Sequence, residues 1–462
     1  MTDSTVDAAK TEYAGRSTPG KLVEIARYFL FIGIVGFGGP MVHIAMMEDD
    51  LVGDESKEWT EQSVFMEGLA ICNMLPGPAS TQLGIFMGWI YAGTKGALVA
   101  GFFFMLPTFV LVVFFSWLYF AYQQVPAVEA VFYGINPVVI GLIVGACYSM
   151  TRSALEEGRT DVAFEIRGNS WNVDYLLVVL LVATTLVQAV FGPNPVLLFV
   201  LSGLLGVAVY RSDWVRSNAR RIAPWAIVGA LFAFRDRLLE TAGPAVRTVV
   251  EASPIWGALL VLWTNPWVQL FAFMIYTGSF IYGGGLVLIP FIETYVVSEF
   301  GWMTGREFVD GIAIGQLSPG PVVMTTAFVG YKLILDVTGG VVALAVVGAL
   351  VATIGAFGPS FAFIIGFFPY FARIRENEIV RTALTAVNAA VIGAILGATV
   401  LLAEESFIVE QPALPVPIAG TVFDLFAVVL GVATYWLFVR GVHAAYLIAG
   451  GGAIGVGAFF LL

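Results

Sequence analysis

Apolar residues in this chain fall into long unbroken runs, with neither the strict alternation of a half-buried strand nor a narrow heptad seam. Runs of about 20 residues, the length that crosses a ~30 Å hydrocarbon core, lie near 24–47, 64–92, 96–121, 128–150, 173–191 and 194–210. A second set lies near 267–290, 308–335, 338–366, 380–403, 421–439 and 442–462. The pattern predicts an all-α polytopic integral membrane protein. Residues 1–21 read as a polar tail, 22–210 and 267–462 as two copies of one unit, and 211–266 as an arginine-bearing linker.

The copies share internal marks in the same order. Phe37-Gly38-Gly39 aligns with Tyr282-Gly283-Gly284, and Glu48 with Glu293. Trp59, Phe65, Glu67 and Gly68 align with Trp302, Phe308, Asp310 and Gly311. Pro76-Gly77-Pro78 then meets Pro319-Gly320-Pro321, Pro107-Thr108-Phe109 meets Pro359-Ser360-Phe361, and Asn136 meets Asn388. Chance does not produce so long an ordered series.

Both Pro-Gly-Pro motifs sit inside apolar runs, where a helix should not be interrupted, because proline removes a backbone donor and glycine is a weak helix former. Interrupted apolar segments at matching places in two halves point to a transporter's binding site. The glycine-rich stretches Gly38-Gly39-Pro40 and Gly283-Gly284-Gly285 are a second pair of breaks. Unwound backbone at membrane depth must be shielded by protein or line a cavity, and its free N–H groups with a positive dipole end suit an anion. Close packing through small residues is the competing explanation.

Arginine and lysine set the expected orientation. Lys10, Arg16, Lys21 and Arg27 precede or open the first run, while the matching stretch 248–266 has none. The stretch 122–128 has none, while its counterpart carries Arg373, Arg375 and Arg381. Arg152, Arg159 and Arg167 follow the fourth run, while 403–420 carries Glu404, Glu405 and Glu410. Basic loops stay cytoplasmic, so the halves are expected to be inverted, with a cytoplasmic N-terminus and linker. If every run spans, the linker must cross once more. If one broken run per half is re-entrant, each half has an odd count. The expected total is 10 to 13 crossings.

Composition agrees with this and narrows the function. The chain of 462 residues is 59% hydrophobic and 12% charged, with net charge −11 and mean hydropathy +0.88. An acidic chain argues against a nucleic-acid partner. No cleavable signal peptide is visible. Cys72 and Cys147 lie in apolar runs, and His43 and His443 are the only histidines. A disulfide framework, a metal site and a haem are therefore not expected, and no cofactor is. There is no Gly-x-x-x-x-Gly-Lys-Ser/Thr motif and no nucleophile–base pair, so neither an ATPase nor another enzyme is expected. Energy would come from an ion gradient or the membrane potential.

Polar side chains cluster at the breaks. Asn73 and Gln316 stand three residues before the first proline of each motif, and Thr81, Gln82, Ser318, Thr325 and Thr326 lie on or just after it. As neutral donors they suit an oxyanion, unless their hydroxyls bond back to their own helices. Glu67 and Asp310 are candidate proton relays or helix-start caps, and His43 is a titrating candidate or a structural histidine. Lys95 and Lys332 read as interfacial residues that snorkel. Asn136 and Asn388 read as packing contacts between helices. A cation carrier could use the same architecture with carbonyl ends and carboxylates, and that alternative stands beside the anion reading.

The residues resemble the chromate ion transporter family in its long two-domain form. The resemblance rests on Phe37-Gly-Gly-Pro40, Leu75-Pro-Gly-Pro78 with Gln82, and Met87-Gly-Trp89. In the second half it rests on Tyr282-Gly-Gly-Gly285, Gly301-Trp302, Phe308-x-Asp310-Gly311, Pro319-Gly-Pro321 and Val329-Gly-Tyr331. It implies antiparallel halves in a cell membrane and secondary efflux of chromate, with sulfate as a related oxyanion. A homodimer stays open.

Overall fold

The computed structural model describes residues 17–37, 39–52, 57, 59–156, 163–166, 169–172, 174–218, 262–282, 284–368, 377–408, 412–418 and 421–461. The expected tail and most of the linker lie outside the described residues.

The described residues are helical almost throughout, in two stretches either side of the linker. The first pass comprises α1 (Pro19–Val35), α2 (Pro40–Leu51), α3 (Gln62–Met74), α4 (Ala79–Tyr122), α5 (Pro126–Glu156), α6 (Tyr175–Phe191) and α7 (Pro195–Tyr210). The second begins with α8 (Pro266–Phe280), followed by a 3-10 turn (Gly285–Val287), α9 (Leu288–Phe291) and a π turn (Ile292–Glu299). Next come α10 (Gly305–Leu317), a 3-10 turn (Val322–Met324), α11 (Thr325–Val337), α12 (Val342–Ala362), α13 (Glu378–Phe407), α14 (Leu425–Val439) and α15 (Ala444–Leu461). The apolar pattern gave no sign of two short β-hairpins at matching places. β1 (Ala163–Ile166) pairs with β2 (Asn169–Asn172), and β3 (Pro415–Ile418) with β4 (Thr421–Asp424).

Local chemistry sets many of the boundaries. Asn194 and Asn265 accept first-turn N–H groups of α7 and α8 just before prolines at the first helical position. Thr304 and Glu307 form a capping box on α10. Asp174 and Asp424 cap α6 and α14 and each also accepts a tyrosine hydroxyl, from Tyr210 and Tyr133 respectively.

Four of the twelve apolar runs do not run straight but double back as helical hairpins. The Tyr28 hydroxyl of α1 donates to Met46 O of α2 at 3.2 Å, which places the two helices side by side. Gly68 of α3 packs on the Phe86 ring of α4. In the second half the rings of Phe273 and Tyr276 of α8 pack at an angle against Tyr295 of the π turn, and Lys332 of α11 pairs with Glu307 of α10 at 2.8 Å. The turns are the sequence breaks themselves, where missing donors and uncapped starts end one helix and begin the next. Lys332, expected to snorkel, is instead held by Glu307 and by Asp336 at 3.1 Å, whereas Lys95 is exposed. Helix α4 also folds back, at Ala92 and Gly93, whose dihedrals are non-helical. A Cβ on Gly88 would overlap Gly96 O across this fold. A Cβ on Gly330 would sit 2.5 Å from Gly348 O across the matching turn between α11 and α12, the close approach that small residues permit.

Helices long and apolar enough to cross a membrane include α5 and α13, with α12 and its π turn. The arm 94–122 of α4 runs about 43 Å at 1.5 Å per residue. Packing between halves is reciprocal. Helix α13 lies against α6 and α7 of the first half, and α5 lies against α14 and α15 of the second. The hairpin tips meet between these helices.

Candidate functional site

The two Pro-Gly-Pro tips are joined to the glycine breaks of the opposite halves. Gly77 N–H donates to Ile281 O at 2.5 Å, and Gly320 N–H donates to Gly36 O at 3.4 Å. Gly77 and Gly320 are equivalent in the sequence alignment, as are Gly36 and Ile281. The braces behind them are equivalent too. Thr108 Oγ1 donates to Pro319 O, while Ser360 Oγ lies 2.6 Å from where a Gly77 Cβ would be. Gln82 Nε2 donates to Pro76 O at 2.5 Å and reaches Ser360 Oγ at 3.5 Å. Gly39, Gly77, Gly284 and Gly320 all have positive φ.

These tips wall one end of a cavity of about 1170 Å3. From the first half it is lined by Gly39, Pro40, Asn73, Gly77, Pro78 and Ser80, and from the second by Tyr282, Gly284, Gly285, Gln316, Ser318, Gly320 and Pro321. The helical segments that leave the tips start without side-chain caps: α2 after Gly39, α4 after Pro78, and the 3-10 turns after Gly284 and Pro321. Their first-turn N–H groups and positive dipole ends are therefore uncompensated by side chains where they meet the cavity. Ser80 Oγ is buried with no partner and adds an available donor.

The cavity extends from the tips along one face each of two helices. Leu142, Ala146, Ser149, Met150 and Ser153 of α5 line it, and so do Arg381, Leu384, Thr385, Asn388 and Ile392 of α13. Arg381 to Ile392 corresponds to about 16 Å of helix. At the far end it is also lined by Phe438, Val439, Gly441, Val442 and His443 around the α14–α15 turn. The described lining contains an arginine and a histidine and no carboxylate.

Several sequence expectations need correction. The Ser318 and Thr325 hydroxyls donate to Gly315 O at 2.7 Å and Val322 O at 2.9 Å, and Thr326 donates to Val323 O. Their protons are committed to their own helix turns, so they are not donors to a ligand. Pro76, Pro319, Gln82 and Thr325 are not on the cavity wall, and Gln82 braces a tip. Asn388, expected to be a packing contact, lines the cavity, whereas Asn136 is buried. Gly38 and Gly283 lie outside the described residues. Sequence reasoning missed Ser80, Thr385 and His443 at the site and used Arg381 only as a topology marker. The i, i+4, i+7 spacing of Arg381, Thr385 and Asn388 was the available signal.

The three titratable candidates lie off the wall. His43 is fully buried, its Nε2–H donating to Gly36 O at 2.7 Å and its ring edge-on to Phe104. Because Gly36 O also accepts from Gly320, His43 supports the join between the halves. Asp310 is 2% exposed and accepts the Tyr119 hydroxyl of the other half at 2.6 Å. Glu67 is half-buried. Among the described residues, no three His, Cys, Asp or Glu side chains come together as a metal would require.

The family model described as chromate transporter matches residues 23–207 and 268–456. The chain is 30% identical to a probable chromate transport protein of Synechococcus elongatus over 83% of its length and 85% of the relative's. It is 30% identical to a chromate transport protein of Cupriavidus metallidurans, covering 84% of each. It is 29% identical to a chromate transport protein of Pseudomonas aeruginosa, over 87% of this chain and 84% of that one. No solved structure matches significantly. With the family model spanning both halves and these relatives aligned along most of their length, the chain belongs to the chromate transporter family.

Proposed function

We propose that this protein is a secondary transporter that carries chromate out of the cytoplasm, with sulfate as a competing oxyanion and an ion gradient or the membrane potential as the driving force. The observation that carries the reading is the cavity at the four hairpin tips, lined by uncapped helix starts, Asn73, Gln316 and Ser80, with no carboxylate in its described lining. A tetrahedral dianion entering it trades water for backbone N–H, carboxamide and hydroxyl donors. The same lining disfavours the cation alternative, which would need acceptor oxygens in excess of donors. The relatives' names support a transport role and chromate as cargo.

The proposed topology is two inverted repeats in a cell membrane, with the N-terminus cytoplasmic. It is supported by the reciprocal bonds at the tips and by the reciprocal packing of α5 and α13. The hairpins act as re-entrant elements. Among the described residues the crossings are then the 94–122 arm, α5, α6, α7, α12, α13, α14 and α15. Arg211, Arg381 and Arg440 fall at one end of this bundle, which the positive-inside rule makes cytoplasmic. The cavity therefore opens inward, the state that loads cargo for efflux. Asp310, held by a tyrosine of the opposite half, is placed to couple a proton to the relation between halves.

Ligand-dependent thermal stability tests the substrate class. At a hundredfold excess over Kd a ligand adds about 2.7 kcal/mol. Chromate, sulfate or molybdate should raise the melting temperature of the purified protein. Stabilisation by simple cations alone would overturn the reading.

A further inference from the structure

The tips account for one end of the cavity, but its most concentrated charge lies at the other. Arg381 is in the first turn of α13, after the Asn377 cap. A cation there opposes the helix dipole, so it is not placed to stabilise the helix. Its nearest acid in sequence, Glu378, sits one turn away but is bound to Arg211 at 2.5 Å. Among the described residues no carboxylate pairs with Arg381, and its side chain belongs to the cavity wall.

His443 is on the same wall. Its Nδ1 accepts Ala445 N–H at 3.2 Å, so the ring proton is on Nε2, a second donor at the same end. Thr385, one turn along α13, and Ser153, near the end of α5, also line this region. The Thr385 hydroxyl donates to Arg381 O at 3.0 Å, which leaves Arg381 and His443, with Ser153 beside them, as the groups for an anion. About 16 Å of α13 separates Arg381 from Ile392, far more than one tetrahedral ion spans. The volume, about 1170 Å3, leaves room for two separated positions.

We propose that Arg381 and His443 form a capture site for a tetrahedral oxyanion at the α13 N-terminal end of the cavity, distinct from the tip site and filled before it. The inference rests on the oxyanion-transport reading and adds a second station to it. The capture site raises the local anion concentration and strips part of the hydration shell. The tip site, whose donors are largely neutral, completes the exchange. Capture by a guanidinium and an imidazole N–H is strong enough to concentrate the ion and weak enough to pass it on to the tip site.

The test is the initial rate of chromate uptake into everted membrane vesicles as a function of chromate concentration, for the wild type and for Arg381→Gln, Arg381→Lys and His443→Gln. Melting temperatures of the purified variants serve as the control for folding. Loss of a charge-assisted hydrogen bond predicts a rise of about tenfold or more in the half-saturating concentration for Arg381→Gln, with the maximal rate kept within about twofold. Arg381→Lys should recover part of the loss, and His443→Gln should show a smaller rise. Wild-type vesicles that take up no oxyanion would overturn the transport reading itself. Wild-type uptake with an unchanged half-saturating concentration in folded Arg381→Gln would overturn only the capture site. A collapse of the maximal rate at an unchanged half-saturating concentration would also overturn it, because Arg381 would then act in translocation.

Discussion

Replacing Gly320 by alanine tests the join between the halves. The residue has φ +101°, a region that costs a side-chain-bearing residue about 1–3 kcal/mol. The new Cβ would overlap Thr108 Oγ1, and relieving that collision costs about 1–3 kcal/mol in a packed interior. If the threonine moves, its bond to Pro319 O is lost, worth about 0.5–1.5 kcal/mol. Together these give roughly 2.5–7.5 kcal/mol, a large share of a domain's usual 5–15. Thermal inactivation of the detergent-solubilised protein should show a large drop. In a Thr108→Ala background the collision and bond terms disappear from the Gly320→Ala step. The double-mutant cycle should then show a coupling of about 1.5–4.5 kcal/mol. Gly284→Ala is the internal control. Its φ is +132°, but its Cβ would meet nothing within 4 Å, so it should lose only the dihedral cost and place a methyl group in the cavity. Equal destabilisation by Gly284→Ala and Gly320→Ala, or no coupling to Thr108, would refute the reasoning.

Other expectations follow from the same geometry. Ser80→Ala should keep the melting temperature and weaken chromate binding, since the Ser80 hydroxyl has no partner in the structure; unchanged binding would remove it from the site. Asp310→Asn should leave chromate binding intact and abolish the response of uptake to an imposed pH gradient. Tyr119→Phe, which removes the hydroxyl bound to Asp310, should shift that response without abolishing it; gradient dependence preserved in both would exclude Asp310 from coupling. Single cysteines placed in the 152–167 and 404–418 loops should be labelled from opposite sides of the membrane, and labelling from one side would sink the inverted topology.

Much of the fold was legible because membrane burial writes itself in long apolar runs, and because both sets carried the same breaks in the same order. The breaks located the tips correctly but hid their consequence. A run such as 64–92 reads as one span, yet the donors missing at Pro76 and Pro78 let the chain reverse, so α3 and the first arm of α4 lie side by side. Whether an interruption kinks a helix or returns it depends on partners far away in sequence, such as Phe86 for Gly68. The β-hairpins escaped notice because four-residue strands carry too little pattern. On the cavity wall, Asn73 and Gln316 were visible from their spacing to proline. Thr325 misled because residue type does not reveal that a hydroxyl is already spent on Val322 O. Arg381 was read only as a loop charge, because its freedom follows from Glu378 being taken by Arg211, a residue 167 positions away in sequence.

Oxyanion transport through the tip site is measured by chromate uptake by purified protein in proteoliposomes, with and without an imposed ion gradient, for the wild type and for Asn73→Ala and Gln316→Ala. Gradient-dependent chromate accumulation that sulfate inhibits is the expected result. Each variant should fold and lose about tenfold to a hundredfold in affinity, the consequence of one missing hydrogen bond to a charged group at about 1.5–3 kcal/mol. Normal chromate transport by both folded variants would contradict the site, and accumulation of a cation with no oxyanion movement would contradict the function.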